Sequence, residues 1–265
     1  MEQLQGSVGA VEFLHRLKDA GHGVLLLDYD GTLAPFNEDP ASAVPYPGVA
    51  DGLDKILRQG ATRVVIVTGR SVVDGLPQLG TALPVELWGV HGRERRLIDG
   101  RYSLEPLTEP ALRALLQADE WSDEIEKVGG RCERKPCSLA FHWRGLPDDQ
   151  VTAIRELIRE RWNSLGLCGV LRWLDFDGGI ELAAPGSTKS DAVVTLLAET
   201  GGQAPMAFLG DDRTDEDAFV AIRDKGLGIL VRPHFRPTAA DLWLKPPREL
   251  LDFLERWHRT LGPPP

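Results

Sequence analysis

The sequence predicts an α/β fold: a parallel sheet covered on both faces by helices and interrupted by an inserted α+β segment. Three observations predict it. Short apolar runs alternate with helical stretches at both ends of the chain, the rhythm of parallel strands joined by crossover helices. The middle abandons that rhythm for long amphipathic stretches and hairpin signals. Acidic pairs follow two of the apolar runs, at the carboxyl ends of strands where an open α/β sheet has its ligand crevice.

Taken in order, Val24–Asp30 is a buried-strand run, Gly48–Arg58 a helix, Arg63–Thr68 a second strand, Ser71–Leu79 a short helix and Val85–Val90 a third strand. Arg95–Leu104 then reads as a hairpin around Asp99-Gly100. Ala111–Lys127 and Asp148–Leu165 read as amphipathic helices, with Leu112, Leu115 and Leu116 on one face of the first. Ser138–Arg144 and Val170–Leu182 are strand-like, the latter turning at Asp177-Gly178-Gly179. The first rhythm returns with a Lys189–Glu199 helix, a Met206–Gly210 strand, an Asp215–Ile222 helix, a Gly228–Val231 strand and an Arg248–Thr260 helix. This organisation assigns residues 1–95 and 183–265 to the core and 96–182 to the insertion.

The 265 residues, 42% hydrophobic and 26% charged, are enough to bury a core. A net charge of −10 argues against general nucleic-acid binding, because phosphate backbones reward a basic surface. It leaves room for a small anion in a locally basic pocket. No apolar run approaches the roughly 20 residues a membrane helix needs, and the first residues contain no apolar stretch of the secretory kind. Cys132, Cys137 and Cys168 form no Cys-x-x-Cys pair, so neither a disulfide framework nor a zinc knuckle is expected. A cytoplasmic protein without a membrane partner is the expectation.

Four segments carry chemistry. The first strand ends in Asp28-Tyr29-Asp30-Gly31-Thr32-Leu33, whose two carboxylates, two residues apart, share one side of an extended chain. The Met206–Leu209 run leads into Gly210-Asp211-Asp212-Arg213-Thr214-Asp215-Glu216-Asp217, with five carboxylates in seven residues. Such a cluster is either solvated at a helix start or offset by a cation, and few hard oxygen donors suit Mg²⁺. Thr68-Gly69-Arg70 offers a hydroxyl and a backbone N–H to an anion, and equally fits a helix N-cap. Lys189 could supply a point positive charge or be a solvated lysine. A second Asp-x-Asp-Gly, Asp175 to Gly178, lies too close to Lys189 for the intervening elements and reads as a hairpin turn.

In this order the four segments resemble the motifs of haloacid-dehalogenase-type phosphatases, over a match from Leu25 to Asp217. The resemblance implies a Rossmann-like core and a C2-type cap inserted between Thr68 and Lys189. It implies Asp28 as nucleophile, Asp30 as general acid and base, and Thr68 and Lys189 as holders of the phosphoryl group. It also implies Mg²⁺ on Asp28, the Asp30 carbonyl and Asp211, with Asp212 or Asp215 in support.

Further strings resemble the trehalose-6-phosphate phosphatase family. They are Gly89-Val90-His91-Gly92-Arg93-Glu94-Arg95-Arg96, Glu133-Arg134-Lys135 leading into Leu139 to Arg144, and Glu181 ahead of Gly186-Ser187-Thr188-Lys189. The resemblance implies a small sugar phosphate as ligand, bound by Glu133, Lys135 and Glu181, with Gly69, Arg70, His91, Gly92, Glu94 and Arg144 nearby, and trehalose-6-phosphate synthase as pathway partner. Read as residues alone, Lys135 and Arg144 could be salt-bridge partners, Glu181 a solvated strand residue and His91 a structural histidine. Trp121, Trp143, Trp162 and Trp173 read as insertion core, and His142 shares a strand face with Arg144. Pro136-Cys137 and the stretch Val231 to Pro237 depart from the family, the latter lacking its usual glycine-bearing segment. Other readings remain open at this level: a phosphatase for sucrose phosphate or mannosyl-3-phosphoglycerate, a metal-dependent glycosyltransferase, or a non-catalytic partner of a trehalose synthase.

Overall fold

The apolar runs at the two ends of the sequence become neighbouring strands of one sheet in the computed structural model, which describes residues 2–4, 9–37, 42–72, 79–167, 169–176 and 178–262. The chain divides into two units, one of residues 1–103 with 187–265 and one of residues 104–186, against boundaries of 96 and 182 read from sequence.

In chain order the first unit begins with β1 (Glu2–Gln3), α1 (Ala10–Ala20), β2 (Gly23–Leu27), α2 (Val49–Gln59), β3 (Thr62–Val67), β4 (Glu86–Gly89), β5 (Glu94–Arg96) and β6 (Tyr102–Leu104). The second unit supplies α3 (Glu109–Asp119), α4 (Ser122–Lys127), β7 (Arg131–Lys135), β8 (Ser138–His142), α5 (Asp148–Ser164), β9 (Arg172–Phe176) and β10 (Gly179–Ala183). The first unit resumes with α6 (Lys189–Glu199), β11 (Met206–Gly210), α7 (Glu216–Ile222), β12 (Leu227–Val231), β13 (Leu242–Leu244) and α8 (Arg248–Leu261).

The first unit's sheet runs β1-β13-β12-β11-β2-β3-β4-β5-β6. The six strands from β13 to β4 are parallel, while β1 and β5 join antiparallel. Alternation along β2 explains why its sequence is apolar throughout. Leu25 and Leu27 pack with Phe13 and Leu17 of α1, Leu53 and Ile56 of α2, and Trp257 of α8. Val24 and Leu26 pack on the other face with Val193 and Leu196 of α6 and Phe219 of α7. A strand buried on both faces has no polar position to alternate with.

The second unit has its own sheet, ordered β7-β8-β10-β9 and antiparallel throughout. One face, built on Leu139, Phe141, Ile180 and Leu182, packs with Ile125, Ile154, Ile158, Trp121 and Trp143. Trp162 and Trp173 lie against the same cluster, so the four tryptophans are core, as read from sequence.

Two expectations are corrected here. The helix expected over Ala111–Lys127 is two, α3 and α4, broken at Glu120 and Trp121. The fully buried face of α3 is Ala111, Ala114 and Ala118; of the three leucines only Leu115 packs partly buried against the core, while Leu112 and Leu116 are 47% and 62% exposed. A stripe of alanines lets a helix backbone approach its neighbour closely, which a leucine stripe would prevent. The helix expected at Ser71–Leu79 falls largely on residues 73–78, outside the described residues.

Besides the two-residue β1, sequence reading passes over three elements. The fully buried face of α1 is only Phe13 and Leu17, β13 is three residues long, and β7 is an edge strand whose charged residues break the apolar pattern. No described helix is long and apolar enough to cross a membrane.

Candidate active site

The site is built where β2, β3 and β11 end. Asp28 follows β2, its N–H donating to Leu209 O at 2.8 Å, and is 3% exposed. Gly31 has φ +84, and a Cβ there would lie on the Asp211 carboxylate, so only glycine lets the two segments approach this closely. Thr32 Oγ1 donates to Asp28 Oδ2 at 3.1 Å. Across the site Lys189, the first residue of α6, is buried and donates to Asp28 Oδ1 at 2.6 Å and Asp215 Oδ1 at 2.7 Å. A capping box of Thr188 and Asp191 starts that helix and fixes where the lysine points.

The acidic segment after β11 is folded inward on itself. Asp215 Oδ2 accepts the N–H groups of Asp211 and Asp212, each at 3.0 Å. Both oxygens of Asp215 are therefore engaged, one by the loop and one by Lys189. Asp212 caps the short turn Arg213–Asp215.

Burial dominates the electrostatics. It pushes the Asp28 carboxyl up to about 7, with the Lys189 charge pulling against it and Asp215 adding to the rise. It pushes Asp211 well above the carboxylate range, where the negative charges of Asp28 and Asp215 add to the effect. Burial alone would push the Lys189 ammonium down, but Asp215 and Asp28 outweigh it and hold it protonated.

These carboxylates carry more negative charge than one lysine offsets. Oxygens of Asp28, Asp211 and Asp215 lie within 4.8 Å of one another, and Asp211 Oδ2 is buried without a hydrogen-bond donor. A buried anionic oxygen left without a partner costs free energy that a cation at that point would recover. The donor set is all oxygen and thus fits a hard divalent ion.

Thr68 follows β3 and is 1% exposed; its Oγ1 accepts the Arg70 N–H at 3.1 Å, so its own proton is free to turn toward an anion. The Arg70 guanidinium grips Asp30 bidentately, Nε to Oδ2 at 2.7 Å and Nη2 to Oδ1 at 2.5 Å, and lies over the Tyr29 ring. His91 packs on Gly69, where a Cβ would meet its ring at 2.8 Å. Val90 and His91 hold φ of +46 and +56, a strained pair for non-glycine residues. Gly92 follows at φ +107 against the Thr188 carbonyl. Glu94 sits behind this turn, accepting from Ser71 Oγ, from Val72 N at 2.6 Å and from Tyr102 Oη at 2.9 Å.

The second unit gathers its candidates on the sheet face opposite its core. Pairing sets Glu133, Ala140 and Glu181 in one row and Lys135 beside Ser138 in the next. Lys135 Nζ donates to Glu181 Oε1 at 3.3 Å, and Ser138 Oγ donates to the same oxygen. His142 Nε2 lies 2.9 Å from Glu133 Oε2 and its ring lies on Phe176. Burial raises the Glu133 carboxyl, but the His142 hydrogen bond and the Lys135 charge leave it below its usual range. Arg144 lies at the far end of this face, packed over Gly178 in the β9–β10 turn.

With this geometry established, comparison with known proteins is decisive. Residues 26–245 match the family described as Trehalose-phosphatase. The chain belongs to that family. A trehalose-phosphate phosphatase of Mycobacterium leprae is 32% identical over 258 residues, covering 90% of this chain and 58% of that protein. The trehalose-6-phosphate phosphatase of Escherichia coli is 28% identical over 212 residues, covering 75% of this chain and 73% of that protein. The C-terminal domain of the C. albicans trehalose-6-phosphate phosphatase superposes with a TM-score of 0.75 at 22% identity, over 99% of this chain and 100% of that one, a likeness of fold. The chain thus spans a little over half the length of its M. leprae relative.

Within the trehalose-phosphatase framework, sequence reading missed Ser138 and Thr32, whose signals are a hydroxyl paired to a strand carboxylate and one following Asp-x-Asp-Gly. It also missed Arg236, whose guanidinium bonds to the carbonyls of Asp211 and Asp212.

Proposed function

We propose that the protein is a Mg²⁺-dependent phosphatase that hydrolyses trehalose 6-phosphate to trehalose and phosphate. The observation that carries this reading is the buried Asp28, held between Lys189 and Thr32, beside an Asp211 oxygen without a donor. Asp28 would attack phosphorus, forming an Oδ–P bond as the bond from phosphorus to the sugar oxygen breaks. Asp30, aimed by the Arg70 fork, gives its proton to the leaving oxygen. It then takes one from the water that attacks phosphorus, breaks the Oδ–P bond and restores Asp28. Lys189, Thr68 and the Gly69 and Arg70 backbone hold the phosphoryl oxygens, while His91 and Gly92 shape the adjoining turn. Glu94 acts one layer back, fixing Ser71 and Val72 so that the Thr68 turn keeps its form.

Asp28, Asp211 and the Asp30 carbonyl would hold Mg²⁺, with Asp212 and Asp215 fixing the loop; when bound, the ion supplies positive charge opposite the phosphoryl oxygens. The sugar would be read by Glu133, Glu181, Lys135 and Arg144, since carboxylates accept strong bonds from hydroxyls and the cations donate them. The upstream partner in this reading is a trehalose-6-phosphate synthase. We assign the reaction to the cytoplasm, a compartment that keeps thiols such as Cys132 and Cys137 reduced.

Phosphate release tests the reading, with trehalose 6-phosphate, sucrose 6-phosphate, glucose 6-phosphate, mannosyl-3-phosphoglycerate and a chromogenic ester as substrates, each with Mg²⁺ and with EDTA. Mg²⁺-dependent preference for trehalose 6-phosphate is expected. Preference for another ester would remove the sugar assignment and leave the chemistry. Equal turnover in EDTA would remove the metal.

A further inference from the structure

The three peptide units that lead out of β11 are gripped from two sides, the middle one from both. On the inner side the Asp215 carboxylate takes the N–H groups of Asp211 and Asp212. On the outer side one guanidinium takes the carbonyls of the same two residues: Arg236 Nε donates to Asp211 O at 3.1 Å and Nη2 to Asp212 O at 2.6 Å. Arg232 Nη1 adds a longer bond to Asp211 O at 3.3 Å. The fork is itself anchored. Arg236 Nη1 donates to the Glu216 carboxylate and to Pro237 O, and Glu216 also accepts from Thr238 Oγ1 at 2.8 Å and Ala239 N at 2.7 Å. The Arg236 side chain is 16% exposed.

Either carbonyl could be satisfied by a single donor or a water. A planar fork on both does something more: it fixes two successive peptide planes, and with them the direction of the Asp211 side chain. That matters because Asp211 Oδ2 has no hydrogen-bond donor to orient it. Its aim comes from the backbone, and the backbone is held by Asp215 inside and Arg236 outside.

We propose that Arg236 is a positioning residue of the cation site, its guanidinium fork on the Asp211 and Asp212 carbonyls holding the Asp211 carboxylate in place to ligate the ion. This rests on the reading that Asp28 and Asp211 bind Mg²⁺. A guanidinium near a cation site has two opposed effects. As a charge it repels Mg²⁺, so its loss tightens binding; as a fork it sets the ligand, so its loss weakens binding. Geometry favours the fork, because both bonded atoms are backbone oxygens of the ligand loop.

The test is calorimetric titration of Mg²⁺ alone, with no substrate, into the full chain and into Arg236→Lys, Arg236→Gln and Glu216→Gln. Arg236→Lys, which keeps the charge and loses the fork, should raise the Kd for Mg²⁺ by about tenfold while the melting temperature in EDTA stays near wild type. Arg236→Gln should weaken binding at least as much, and Glu216→Gln, which only loosens the anchor, by less. An unchanged or tighter Kd in a folded Arg236→Lys protein would overturn the proposal. Should Arg236→Gln not fold, Arg236→Lys and Glu216→Gln decide the matter. A wild-type chain that binds no Mg²⁺ overturns the cation assignment itself. The titration reads no turnover, so a chain that binds Mg²⁺ but hydrolyses no ester leaves Arg236 supported and removes only the phosphatase reading.

Discussion

The two units each present a pair of carboxylates next to a lysine, and the two pairs are in opposite electrostatic states. In the first unit, burial and mutual repulsion raise Asp28 and Asp211, with Lys189 shared between Asp28 and Asp215 and one Asp211 oxygen without a donor. In the second, Glu133 is drawn down by His142 and Lys135, and Glu181 accepts from Lys135 and Ser138. Carboxylates in charge deficit ask for a cation. Carboxylates already compensated by the protein keep their acceptor character and can take hydroxyls without needing an ion. The first site also holds a third buried carboxylate, Asp215, so both the acidic count and the number of donors around each oxygen separate the roles.

The strongest way to break this contrast is Asp28→Asn. Turnover should fall by at least about 10⁴-fold in a phosphate-release assay while the folded circular-dichroism spectrum is kept. Surviving turnover would remove Asp28 as nucleophile. Next in size is Lys189→Met, which leaves Asp28 and Asp215 buried without their cation and should cost about 3–5 kcal/mol in urea unfolding. A loss below 1 kcal/mol, on the order of a surface pair, would mean that the pair is not the counter-ion the geometry indicates.

Asp211→Asn should act with the opposite sign. Removing one of the repelling charges should raise the melting temperature in EDTA by about 2–4 °C per kcal/mol gained, and should abolish the further rise that Mg²⁺ gives the wild type. A lower melting temperature in EDTA would contradict the charge deficit. The smallest effect belongs to the compensated pair. The folded-state pKa of Glu133 is below its unfolded value, so its contribution is complete above the ordinary carboxylate range and is lost as pH falls through the lowered value. The difference in urea midpoint between wild type and Glu133→Gln should therefore shrink on acidification below that range. A difference that grows instead would reverse the assignment.

How much of this was legible in sequence depended on where each residue's partner lay. Asp28 with Asp30 and Asp211 with Asp215 are local motifs at strand ends that could be read from their neighbours, whereas Thr68 and Lys189 were ambiguous alone and took their meaning from the order of the four segments. The strands β2, β3 and β11 announce themselves because burial on both faces removes every polar position. The alanine face of α3 misled, because apolar size in sequence does not say which side a helix packs; Leu112 and Leu116 look like core and are exposed. β7 was hidden by its charges, although alternation of Arg131, Glu133 and Lys135 is what gives the second unit its polar face. Arg236 was invisible for another reason. Its partners are backbone carbonyls more than twenty residues earlier, and no side-chain pattern encodes them.

The pairing of β2 with β11 sets an order of events in synthesis. Val24 pairs with Met206, and between them the ribosome must deliver the whole second unit. At roughly 5–20 residues per second that interval lasts about ten to forty seconds, during which one edge of the Asp28 strand has no permanent neighbour. Lys189, Asp211 and Asp215 all emerge after it. A stalled or truncated chain can therefore carry Asp28 and the complete second unit and still lack Lys189, Asp211 and Asp215, so the proposed cation site could assemble only in chains translated past β11, and on that proposal titration with Mg²⁺ would distinguish finished molecules from unfinished ones.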